Sequence, residues 1–144
     1  MKGLQVNQRM KVERFLTGII STNCYLAINE ETKQAVVVDP AASPPSLMNH
    51  IKEEGLKIEA ILLTHGHFDH IWGCNRLREL SGAPVCAYEE EKALCEDAVT
   101  NVSDQAGRPY TVMPDRYLQD GEEITIAGMT CRLIATPGHT VGSC

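Results

Sequence analysis

The stretch LLTHGHFDHIWG, residues 62–73, sets His65, His67, Asp69 and His70 within six positions. Three of the chain's five histidines fall here; a fourth, His139, lies in TPGHTVGS, and only His50 stands apart. Imidazole is therefore a local resource in this sequence. A lone histidine is more often a hydrogen-bonded core residue, but four of five at two short stretches is harder to explain that way. Neutral imidazoles with a carboxylate suit zinc and are compatible with iron or manganese.

Spacing limits how these groups can act together. Residues two apart point the same way in an extended chain, whereas in a helix they diverge by more than half a turn. His65 and His67 can thus serve one ion only if their segment is extended or looped. Gly66 between them permits an unusual backbone dihedral and leaves room for a ligand. Asp69 and His70 stand where a helix begins, so Asp69 either caps that helix or turns its carboxylate to a cation. Pro137-Gly138 makes a turn after CRLIAT, which puts His139 at a strand end too. Strand ends on one side of a sheet are where α/β proteins gather their sites.

The elements that must position these groups are legible as patterns. MKVERFL alternates, and IISTNCYLAI follows it after Gly18; both read as strands of a meander. QAVVVD is a short β-branched run ending at Asp39-Pro40. SPPSLMNHIKEEG reads as a helix, with Ser43 as N-cap, Pro44 at its first position and Gly55 past its end. KIEAILLT is apolar enough for a central strand. From Asp69 the spacing of Ile71, Cys74, Leu77 and Leu80 predicts one amphipathic helix that stops at Gly82. PVCAY reads as a strand, and EEEKALCED as a short helix with acids at its favourable end. Residues 97–117 have no clear period and read as a long loop, of the kind that can lie over a site. ITI and TCRLIAT form a hairpin turned at Ala127-Gly128-Met129. The order β-β-β-α-β-α-β-α-loop-β-β defines an α/β layered domain.

Composition excludes some function classes. The 144 residues are 43% hydrophobic and 22% charged, which fits one folded domain and not a disordered chain. A net charge of −6 and the lack of a basic run argue against nucleic acid as a partner. MKGLQVNQRMKVERF holds no apolar leader and no stretch approaches a membrane span, so a cytoplasmic location without a membrane partner is expected. The six cysteines are spread singly with no C-x-x-C pair, and read as free thiols, several of them in the core. Cys144 has no reading of its own.

THGHFDH, PGHTVGS and the upstream VVVDP together resemble the metallo-β-lactamase superfamily of hydrolases, in its single-domain branch similar to glyoxalase II. The resemblance runs from about residue 10 to Cys144. It implies that His65, His67 and His139 bind a first zinc, that Asp69 and His70 bind a second, and that Asp69 is the catalytic carboxylate. Asp39 matches a position that braces the metal-binding loop without being a ligand. In such enzymes the metals hold a hydroxide that attacks a carbonyl or phosphoryl centre. A thioester is the small-molecule substrate class this branch suggests, and the wider superfamily also cleaves lactams and phosphodiesters.

The family fold is an αββα sandwich of two similar halves, and residues 1–144 match the first: a mixed sheet with helices on one face. The pattern has a bridging aspartate and a further histidine beyond PGHTVGS, and neither lies within the 144 residues. The expectation is an N-terminal portion of the domain, with one tightly held ion or none and little or no activity alone. The inner face of QAVVVD and KIEAILL is expected to be bare, to be covered by a second copy or by a bound C-terminal half. A half-length metal-binding or subunit-interaction protein without catalysis is the competing reading.

Overall fold

The computed structural model describes residues 9–144; residues 1–8, the start of the segment read above for a leader, lie outside the described residues. Strands β1 (Met10–Thr17) and β2 (Thr22–Asn29) pair antiparallel along their whole length, from Met10–Asn29 to Thr17–Thr22. β3 (Gln34–Val38) returns antiparallel to β2, and the Asn29 side chain caps the connecting turn by accepting from the N–H groups of Glu31 and Thr32. β4 (Lys57–Leu62), β5 (Val85–Tyr88) and β6 (Arg116–Leu118) then add in parallel, giving a six-stranded mixed sheet in chain order.

Helices fill the crossovers on one face. α1 (Pro45–Glu53) joins β3 to β4, α2 (Phe68–Ile71) and α3 (Cys74–Ser81) join β4 to β5, and a 3₁₀ turn (Glu89–Glu91) runs into α4 (Lys92–Glu96) before β6. The period-two alternation of the strands sorts their side chains. Ala35, Val37, Ile61, Val85 and Ala87 meet Leu47 of α1, Ile71 of α2, Leu77 of α3 and Cys95 of α4 in the main core. Burying the valine, leucine and isoleucine side chains among these contributes roughly 1.5–3 kcal/mol each before entropy is set against it.

The opposite face is not bare. The hairpin β7 (Glu123–Ile126) and β8 (Met129–Arg132) lies across it, with Ala127 and Met129 on Val36 and Ala60, and Ile124 on Cys86 and Leu118. Val36 and Ala60 are buried as a result. The expectation of an uncovered inner face is corrected for these strands, because this hairpin is itself the start of the second layer.

Local departures have local causes. Ser43 is not the helix cap: Pro44 precedes Pro45 and is held extended, at φ −66° and ψ 152°, so the helix cannot begin before Pro45. The Ser43 hydroxyl donates to the Gly73 carbonyl instead. The helix expected from Asp69 to Gly82 breaks at Trp72–Gly73, where Gly73 N–H donates to Pro40 O at 2.7 Å. A Cβ on Gly73 would sit 2.5 Å from the Ala42 carbonyl carbon, so only glycine lets α2 press against the chain after Asp39. α3 does end at Gly82, whose φ is +70°. Leu80 is exposed, since a strict three-residue spacing drifts off the buried face of a 3.6-residue helix.

β6 falls at the end of the segment read as loop. Three residues are too few to show a period, and Arg116 is exposed. The rest of that segment is laced by its own buried Asn101 and Ser103, which bond the Tyr110 backbone. It straps the helices: Phe68 N–H donates to Asn101 O, Trp72 Nε1 to Arg108 O, and Asn75 Nδ2 to Thr111 O. The hairpin turn is Ala127-Gly128, both at positive φ, and Met129 already pairs with Ile126. All six cysteines are free, four of them buried. No helix among the described residues is long and apolar enough to cross a membrane.

Candidate metal centre

Three segments, two from the main sheet and one from the hairpin, converge. β3 delivers Asp39, β4 runs through Thr64 into His65 and His67, and the chain beyond β8 folds back to present His139. That last segment is bent by its own bonds: Thr136 N–H donates to Ser143 O, and Thr140 N–H to the Ser143 hydroxyl oxygen. Cys144 N–H then donates to Thr64 O at 3.0 Å, which seats the segment beside the first histidines. Cys144 thus acquires a place, its backbone bonded to Thr64 just past the end of β4 and its thiol pushed up to about 11 by burial.

His65, His67 and His139 form one group, with a ligand atom from each lying within 4.8 Å of the others. His67 Nδ1 and His139 Nε2 are 3.0 Å apart, and His65 Nδ1 accepts the His67 N–H at 3.2 Å. The His65-Gly66-His67 segment is looped, as the two-residue offset requires. His65 is buried, and burial followed by the neighbouring His70 lowers its pKa to about 4. It is therefore a neutral imidazole at neutral pH, the form that can donate a lone pair. His67 is also held below its ordinary value, by burial and then by His139. His65 and His67, both held toward the neutral form, offer lone-pair nitrogens beside His139, and this three-imidazole donor set fits a metal ion.

Asp69 and His70 stand next to this group on α2. The His65 and His70 ring centroids are 3.9 Å apart. His70 Nδ1 is 2.9 Å from Asp39 Oδ2, and His70 Nε2 is 3.3 Å from Asp69 Oδ2. Burial works to lower the His70 pKa, but the hydrogen bond to Asp39 and then its charge outweigh it and leave the net shift upward. Asp39, buried and at φ +54°, also accepts from the backbone N–H and the hydroxyl of Thr64. It braces both sides of the cluster. Asp69 does not cap α2 with its side chain, since the cap position is His67. Its carboxylate lies 3.5 Å from the Thr22 hydroxyl and faces an open cavity of about 460 Å³ shared with Ile20, Tyr25 and His70. His50 stands apart, paired with Glu13.

Glu91 escaped the sequence reading. Within EEE it looked like its exposed neighbours Glu89 and Glu90, yet it is 1% exposed and accepts from Gly66 N–H and the Thr140 hydroxyl. The available signal was its i,i+4 spacing to the buried Cys95, which places both on the inner face of that turn.

The metallo-beta-lactamase superfamily model matches residues 17–144. The chain belongs to that superfamily. It is 37% identical over 136 residues to a Bacillus subtilis protein described as a probable metallo-hydrolase, YqgX, covering 93% of this chain and 64% of that protein. It is 29% identical over 136 residues to the Haemophilus influenzae hydroxyacylglutathione hydrolase GloC, covering 92% of this chain and 64% of that one. Among solved structures, the BLEG-1 B3 metallo-beta-lactamase superposes with a TM-score of 0.84 at 37% identity, over 92% of this chain and 65% of the other. The metallo-beta-lactamase fold inferred from THGHFDH and PGHTVGS is thereby shown. The chain spans just under two thirds of the length of these relatives.

Proposed function

We propose that this chain carries the metal-holding part of a zinc-dependent hydrolase acting on thioesters. The observation that carries the reading is the convergence of His65, His67 and His139 from segments 72 positions apart in the chain, beside the Asp39–His70–Asp69 series. His65, His67 and His139 would hold a first ion; Asp69 and His70 would contribute to a second, with Asp39 fixing the proton of His70 on Nδ1 so that Nε2 is free. Bound zinc supplies a polarised carbonyl and an acidified water. Asp69, facing the open cavity, would accept a proton from the attacking water as its oxygen bonds to the carbonyl carbon; the C–S bond then breaks and that proton passes to the departing sulfur, giving an acid and a thiol. The likeness to a hydroxyacylglutathione hydrolase supports a thioester, and the likeness to a B3 metallo-beta-lactamase supports a lactam as the alternative substrate. Iron or manganese in place of zinc is compatible with the same donors.

Because the chain covers about 64% of its relatives, turnover and partners are part of this proposal. An apolar cavity of about 210 Å³ between the sheet and the hairpin, flanked by exposed Ile134, and the exposed Val141 favour a covering partner. That partner is a second copy or a C-terminal half, and sedimentation with mass spectrometry of the same sample distinguishes them. The competing reading, metal holding without catalysis, is separated by assay. Zinc competition against a chromophoric chelator should give about one tightly held ion per chain. Thiol release from a glutathione thioester should be slow and abolished by His67→Ala. Failure to hold zinc above a His65→Ala/His139→Ala control would sink the hydrolase reading; zinc retention with no thiol release would favour the non-catalytic one.

A further inference from the structure

Glu91 is a carboxylate set in the interior between two loops. Its Oε1 accepts Gly66 N–H at 2.8 Å, and its Oε2 accepts the Thr140 hydroxyl at 3.0 Å. Gly66 separates His65 from His67, and Thr140 follows His139. One side chain therefore bonds a residue adjacent to each of the three clustered histidines. Both loops are pressed onto the element that carries it. A Cβ on Gly142 would lie 2.3 Å from Glu91 Oε2 and 2.5 Å from its backbone nitrogen, and one on Gly66 would lie 3.0 Å from Cys95 Sγ.

The receiving side is rigid as well. Thr140 Oγ1 is 2.8 Å from Ser143 Oγ, which in turn accepts Thr140 N–H at 3.0 Å. This ring of bonds directs the single Thr140 hydroxyl proton at Glu91. Burying a carboxylate carries a desolvation cost that an apolar side chain of the same size would not. Its two bonds are what it contributes in exchange.

We propose that Glu91 is a positioning residue that sets the separation of the His65–His67 loop from the His139 turn, and so sets the affinity of the three-histidine site for its ion. The proposal rests on the metal-holding reading above. It is distinct from the ligands and from Asp39, because Glu91 approaches the histidines through backbone and hydroxyl donors and not through an imidazole.

The test compares Glu91→Asp with Glu91→Gln in the intact chain. Aspartate is one methylene short and cannot reach both donors. Glutamine keeps the length: its oxygen accepts Gly66 N–H and its amide donates to Thr140 Oγ1, whose own proton turns to Ser143. Two readings are taken, zinc affinity by chelator competition and hydrogen exchange of the Gly66 amide without metal. Glu91→Asp should weaken zinc binding by about tenfold or more, the range for residues that orient ligands, and should speed Gly66 exchange. Glu91→Gln should restore both. Thr140→Val against Thr140→Ser repeats the test from the other end should the aspartate variant fail to fold; valine should weaken zinc binding and serine retain it. A residue important only for folding would lower the melting temperature of these variants without changing zinc affinity measured well below it, and that outcome overturns the proposal. If the unaltered chain holds no zinc, the hydrolase reading falls, and Gly66 exchange alone decides: unchanged exchange in Glu91→Asp overturns the clamp, accelerated exchange supports it.

Discussion

His70 and Asp39 are joined by a 2.9 Å contact between Nδ1 and Oδ2 across 31 positions of the sequence. The bond occupies one ring nitrogen and aims the other at Asp69. It also separates His70 from His65, whose ring centroid is only 3.9 Å away. Burial dominates at His65 and pushes it down to about 4, whereas Asp39 carries His70 upward against burial. Two neighbouring imidazoles, tilted at 48° to each other, are thus set to hold protons at different pH.

Removing the brace should be costly. Asp39→Ala leaves the Thr64 N–H and the His70 ring without their partner, and it places alanine at φ +54°. A single unsatisfied buried group costs about 1–3 kcal/mol. Urea unfolding should show a loss of at least that size. Asp39→Asn should lose less, since asparagine tolerates positive φ and can still accept the Thr64 N–H. Equal losses for the two variants would contradict this account.

The metal-free chain should lose stability on mild acidification. The folded pKa of His65 is about 4, against an ordinary 6.5, so the unfolded chain binds the proton more readily between those values. A depressed pKa contributes stability that is present above about 6.5 and is lost as pH falls toward about 4. Melting curves in a zinc-free buffer series should decline across that window. His65→Asn should flatten this part of the profile.

Zinc should raise the melting temperature. An ion that binds only the folded chain stabilises it by about 2.7 kcal/mol at one hundred times its dissociation constant. For a chain of this size that corresponds to a shift of roughly 9 °C. Chelator should reverse it fully, and His139→Ala should abolish it. A zinc shift that survives loss of His139 would place the ion elsewhere.

Gly73→Ala should be among the most damaging single-methyl additions. Its Cβ would meet the Ala42 backbone at 2.5 Å, and overpacking of this kind costs about 1–3 kcal/mol, occasionally more. Because Gly73 also donates to Pro40 O, the shift should spread to Asp39 and weaken zinc binding. Chemical denaturation and chelator competition on the same variant measure the two effects. Gly55→Ala, with open space around the added methyl, should show only the cost of its positive φ.

The sequence was most informative where chemistry and spacing coincided. H-x-H forces an extended or looped path, so His65 and His67 could be paired with no knowledge of the fold. His139 was legible through the Pro137-Gly138 turn, although β8 ends at Arg132 and His139 lies on the irregular segment beyond it rather than at a strand end. What stayed hidden was set by tertiary packing. The helix break at Gly73 comes from the Pro40–Ala42 segment lying on it, a contact no local period encodes. Ser43 was misread because two successive prolines shift the helix start. Glu91 was hidden by its exposed neighbours, and the covering of Val36 and Ala60 by the distant hairpin.

The junction that seats Cys144 against β4 has a kinetic consequence. Cys144 and Leu63 touch although 81 positions separate them. Closing so long a loop is entropically slow compared with forming β1–β2 or α1, whose partners are near in sequence. His139 should therefore be the last of the three imidazoles to reach its place as the chain folds. By the same token, the segment from Thr136 to Cys144 should detach before the sheet does when the chain loosens. Metal capture would then report the closing event of folding, with the ion sealing a seam between early and late parts of the chain.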